Sequence, residues 1–165
     1  VVDSFTASDG TVYEAIATVY STGIVKKVTN EDGTVTSTLV NANEGVRGSY
    51  KRAADGSRKG GGQRRKDNKK RVGIEFNRFK EAATAAEESD GLTYDDSNLT
   101  IGGSGFLRRD RETQLNLVDN SGNVVGTVGG RIGSDTQEAA NARALGDELI
   151  RISNIKTTVT TDDDK

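Results

Sequence analysis

The chain has 165 residues, a formal net charge of -2, and no Cys, His, Trp, Met or Pro. This composition excludes disulfides, Cys- or His-ligated metal sites, Cys or His nucleophiles, His general bases and Ser-His-Asp triads. No run approaches the roughly 18 to 20 apolar residues of a membrane span, and the length suits one ordinary domain.

No secretory h-region is evident, which leads us to expect a soluble or already processed chain. The first residue, Val1, leads us to expect processing or a longer parent chain. Val, Ile, Leu and Phe together supply only 35 residues, while Gly supplies 20. Such a thin core predicts small β-rich units and long exposed segments.

Residues 1–50 read as β-rich. Residues 11–20 (TVYEAIATVY) are rich in β-branched and aromatic side chains, with a helix as the competing reading. Residues 24–29 and 34–40 flank Asn30, Glu31, Asp32 and Gly33. Asp-Gly between two β-branched runs predicts a hairpin, because Gly accepts the positive φ such turns require.

Residues 51–71 (KRAADGSRKGGGQRRKDNKKR) carry ten Lys/Arg and two Asp. Outside them stand thirteen Lys/Arg and twenty-three Asp/Glu, so the near-neutral total hides a polarised molecule. With no large apolar residue and with Gly60, Gly61 and Gly62 inside it, this segment reads as a flexible basic arm. Its candidate contacts are Lys51, Arg52, Arg58, Lys59, Arg64, Arg65, Lys66, Lys69, Lys70 and Arg71.

Residues 72–165 read as a mixed region that joins the rest in one domain. A helix is expected over about 75–90, with Phe76, Phe79, Ala83 and Ala86 on one face and Gly91 as its stop. Short strands are expected at 92–94, 99–101, 113–119 and 124–128, the last two joined by a turn at 120–123. A second helix over about 135–152 buries Ala142, Leu145, Leu149 and Ile152. Ser134 with Gln137, or Asp135 with Glu138, would cap it. Residues 155–161 read as a last strand and Asp162, Asp163 and Asp164 as a solvated tail. The fold class is therefore α+β, rich in hairpins, with two helices and a basic arm.

Residues 117–152 read LVDNSGNVVGTVGGRIGSDTQEAANARALGDELIRI. Asp119 and Gly122 give a D-x-x-G turn between strands, and residues 138–143 spell EAANAR on the next helix. This segment resembles a strand-turn-strand-helix unit of small phage and prophage proteins. It departs from their usual Ala-Ala-Pro-Glu-Leu-Leu continuation, replaced here by LGDELI at 145–150. The resemblance spans 36 residues. It implies a phage context, a strand-strand-helix unit and no known catalysis, and no functional residue is carried over from it; a structural role in a phage virion is the expectation.

Several weaker motifs have plain structural readings. Glu87, Glu88, Asp90, Asp95 and Asp96 are paired carboxylates without an evident pocket. Residues 119–123 lack the alternating ligands and distal Glu of a Ca²⁺ loop. Residues 102–105 lack the Lys-Ser/Thr of a phosphate-binding loop, Ser104 has no neighbouring base, and residues 126–133 lack dinucleotide spacing, so bends or bulges are expected. Arg108, Arg109, Asp110 and Arg111 make a smaller basic knot.

No cofactor or metal is expected. The arm suits docking on the acidic body of a neighbouring subunit, in a homo-oligomer or larger assembly with no membrane partner. The alternative is sequence-nonspecific nucleic-acid binding, in which the arm neutralises phosphates. No aromatic residue is interleaved in the arm, which argues against base stacking. A small enzyme using carboxylates, Lys or Tyr is the third alternative.

Overall fold

A computed structural model describes residues 1–44, 61–89, 91–95, 97, 99–101, 113–129 and 135–163. In chain order the elements are β1 (Asp3–Thr6), β2 (Val12–Ala17), β3 (Ser21–Thr29), β4 (Val35–Glu44), α1 (Gly61–Glu87), β5 (Leu99–Ile101), β6 (Thr113–Val118), β7 (Val124–Val128) and α2 (Asp135–Asp163). The fold is α+β. Antiparallel sheets of order β1-β2-β3-β4 and β5-β6-β7 hold the helices between them, each helix packing on both sheets and on its partner helix.

Three hairpins share one turn chemistry. At residues 7–11, 30–34 and 119–123 the fourth residue donates its N–H to the first carbonyl, and the first N–H donates to the fifth carbonyl. The fourth residue is Gly10, Gly33 or Gly122, with φ of 90°, 86° and 84°. Only Gly holds that left-handed geometry without a Cβ penalty. An Asp one to three residues earlier accepts further turn N–H groups in each hairpin.

The core follows the two periodicities. Tyr13 and Ala15 on β2, and Leu115 and Leu117 on β6, are buried at every second position. The expected stripes Phe76-Phe79-Ala83-Ala86 and Ala142-Leu145-Leu149-Ile152 are both fully buried. Tyr13 meets Phe79 edge-on at 5.0 Å between ring centres, and Phe5 meets Phe79 at 6.4 Å. One contiguous cluster joins the two sheets and both helices, so the small apolar supply serves a single interior.

Several expectations need correction. Helix α1 begins at Gly61, not near 75, so residues 61–71 of the expected flexible arm are helical. Arg, Lys and Gln are good helix formers, and extending an existing helix costs far less than nucleating one. The buried half of α1 therefore propagates through its basic half. The boundary placed at 71/72 falls inside this helix. Its C-terminal end comes at Glu87, where a tighter turn satisfies the last carbonyls through Glu88 and Ser89.

Helix α2 continues to Asp163, so residues 155–161 are not a strand and Asp162 and Asp163 are not a loose tail. β-Branched residues were the signal for a strand there, and helix propagation overrides them. Near residues 92–94 there is one isolated bridge, Thr93 to Val118, rather than a strand. β1 has no counterpart among the expected elements. The expected cap at Ser134 lies outside the described residues.

Candidate functional site

The basic half of α1 is the described part of the expected arm. Arg65, Lys66, Lys69 and Lys70 are exposed and Arg71 is half-buried. Spacings of three and four residues from Lys66 place Lys69 and Lys70 along one side of the helix with it. Arg64 lies in the first turn of α1. Lys51, Arg52, Arg58 and Lys59 lie outside the described residues. Among the described residues, the five cations from Arg65 to Arg71 form no ion pair or side-chain hydrogen bond.

Two residues on the opposite side hold this segment to the body. Val72 is buried. Asn68 is buried and donates Nδ2 to the carbonyls of Thr18 and Val19, at 2.9 and 3.2 Å, in the turn between β2 and β3. The next residue of that turn, Tyr20, is 79% exposed. The fold thus brings the turn that carries an aromatic residue to the basic helix, although none lies within residues 51–71.

A polar chain runs through the interior beside this helix. Asn141 Nδ2 donates to Asn43 Oδ1 at 2.8 Å, Asn43 Nδ2 to Asn41 Oδ1 at 3.0 Å, and Asn41 Nδ2 to Glu75 Oε1 at 2.5 Å. Glu75 is 2% exposed, and its Oε2 has no hydrogen-bond partner. Burial pushes its carboxyl up to about 7, against the Asn41 hydrogen bond and the Arg78 charge. Sequence reasoning passed over Glu75. The available signal was an acid sitting between Val72, Phe76 and Phe79 on the apolar stripe. Asn141 also accepts from the Ala42 N–H at 3.3 Å and donates to the Ala42 carbonyl at 3.2 Å, as a neighbouring strand would.

A second network joins the four-stranded sheet to α2. Tyr13 Oη donates to Glu148 Oε1 at 2.6 Å and accepts from Arg151 Nη2 at 2.6 Å. Lys26 Nζ lies 3.0 Å from Glu148 Oε1, and Arg151 Nη1 lies 2.8 Å from Asp9 Oδ2. Burial, then the Glu148 contact, raises the Tyr13 phenol above its usual value. Burial would raise the Glu148 carboxyl too, but hydrogen bonds from Tyr13 and Lys26 with the Lys26 charge leave it below the usual range. These groups satisfy one another, which suits bracing rather than proton transfer.

The expected carboxylate cluster is dispersed. Glu87 accepts the Ser8 N–H at 3.0 Å and Asp95 caps Ser97. Asp90 and Asp96 lie outside the described residues, as do residues 102–105, 108–111 and 130–133. Among the described residues, no three Asp or Glu side chains gather as a metal cage, and no helix is long and apolar enough to cross a membrane. An open cleft of about 320 Å³ between Arg78, Glu81, Gln114 and Thr127 has a polar rim and lacks the apolar lining of a typical small-molecule site. Comparison with known protein families, curated proteins and solved structures finds no match.

Proposed function

We propose that this chain is a non-catalytic assembly protein, in the setting of a phage particle, that docks on neighbouring protein subunits through the basic half of α1. The observation that carries the reading is the exposed set Arg65, Lys66, Lys69 and Lys70 on a helix of a chain whose remaining residues are strongly acidic. Complementary charge steers such an encounter and sets its orientation. A preformed helix also loses less conformational freedom on docking than a flexible arm.

Reversing these four cations to Glu tests the reading. Light-scattering mass should show wild-type association at low salt that weakens as surface charges are screened. The reversed variant should remain the smaller species throughout. An unchanged mass for the variant at low salt overturns the reading.

Tyr20 favours a second reading, sequence-nonspecific nucleic-acid binding. An exposed ring on the turn that Asn68 holds to the basic helix would serve as a stacking platform, with phosphate contacts supplied by that helix. Four phosphate contacts would give a log-affinity against log-salt slope of about -3 to -4. Tyr20→Ala would then weaken single-strand binding and leave the slope unchanged. No binding of either strand form at low salt excludes this reading.

A further inference from the structure

We propose that β4 pairs antiparallel, edge to edge, with β4 of a second copy of this chain, with Ser37 on the two-fold axis. Among the described residues, β4 ends its sheet and pairs only with β3. Its first five residues, Val35 to Leu39, are all exposed and contain no charge, Gly or Pro. Natural sheets blunt such edges with charges, short strands or covers. The opposite edge has those devices: β1 is four residues long, and its Asp3 is bridged to Lys80 at 2.5 Å.

The other end of β4 is closed. The Asn141 amide occupies both backbone groups of Ala42. The β3–β4 register shifts between Ile24 and Val25, where Val25 pairs Leu39 and Ile24 pairs Asn41, so a bulge separates the covered half from the open half. The open stretch is therefore Val35 to Leu39.

That stretch is complementary to itself. Side chains alternate, so Val35, Ser37 and Leu39 share the outer face. An antiparallel partner centred on Ser37 sets each Val35 opposite the other copy's Leu39, and each Thr36 opposite the other copy's Thr38. Val35 and Leu39 are each 56% exposed, and both would be covered twice over by the two-fold symmetry. The nearest outer-face charge, Lys27 opposite Ser37 on β3, is already bridged to Glu14 at 2.5 Å. Among the described residues, no charged side chain lies within Val35 to Leu39, and the result is one continuous eight-stranded sheet with a β1 at each edge.

This contact is separate from the charged helix and should survive screening salt. The chain has no Cys, so Ser37→Cys puts a single thiol on the axis. Opposed residues of an antiparallel pair lie about 4.5 to 5.5 Å apart at Cα, within disulfide reach. At about 1 M salt, mild oxidation should convert Ser37→Cys to a covalent dimer. Val35→Cys and Tyr20→Cys should form no covalent dimer, and the double variant Val35→Cys, Leu39→Cys should crosslink. Leu39→Lys, at an exposed position, should halve the light-scattering mass with unchanged circular dichroism. Charge reversal in α1 should leave the Ser37→Cys dimer intact even if it abolishes low-salt association. A Ser37→Cys chain that forms no covalent dimer, crosslinks only to another protein, or crosslinks no faster than Tyr20→Cys overturns the proposal.

Discussion

Asn41 donates Nδ2 to Glu75 Oε1 at 2.5 Å inside the protein, and the second carboxyl oxygen of Glu75 meets no hydrogen-bond partner. The interior therefore holds this acid in an environment that favours its protonated form.

Stability should fall as pH rises through this group. Its ordinary carboxyl value is 4.5, and burial raises it to about 7 in the folded protein. Between these values the folded state binds the extra proton, so rising pH costs stability until about pH 7 and little beyond. The full cost is about 3 kcal/mol, from 1.36 kcal/mol per pKa unit. Glu75→Gln keeps the oxygen that Asn41 needs and removes the ionisation. Urea unfolding should show the variant close to wild type at pH 4.5 and more stable at pH 8. Equal stability increments at both pH values would contradict this account.

Gly126 and Gly73 should respond oppositely to alanine. A Cβ on Gly126 would lie 2.7 Å from the Ala82 Cβ and 3.1 Å from its Cα, where β7 crosses α1. Gly126→Ala should cost about 1–3 kcal/mol by overpacking. A Cβ on Gly73 meets nothing within 4 Å, inside the same helix. Gly73→Ala should stabilise by about 0.8–1 kcal/mol through helix propensity. Denaturant midpoints of the two variants check both signs.

Tyr13→Phe isolates the bracing network. The ring stays in the aromatic cluster, while Glu148 loses a donor at 2.6 Å and Arg151 an acceptor at 2.6 Å. The direct contact of Arg151 Nε with Glu148 Oε1 at 3.2 Å remains, so the loss should be about 1–2 kcal/mol. Thermal and urea unfolding measure it. An unchanged midpoint would show that the phenol hydroxyl does not brace the sheet against α2.

The sequence by itself determined the features whose cause is local. The turns ending in Asp32-Gly33 and Ser121-Gly122 mark two hairpins because Gly accepts their positive φ, and the Asp9-Gly10 turn, which sequence reasoning passed over, makes a third by the same chemistry. The stripes through Phe76 and Phe79, and through Leu145 and Leu149, mark both helices because a 3.6-residue period buries one face. Tertiary structure decided what depends on distant neighbours. Residues 61–71 looked flexible because they carry no large apolar side chain, yet they continue a helix nucleated by the buried residues after them. Residues 155–161 looked like a strand, yet α2 runs through them for the same reason. Nothing in the order of residues 35–44 says which half of β4 stays open. That is decided by Asn141, 99 residues from Ala42, whose amide reaches the strand only once α2 has packed against the sheet.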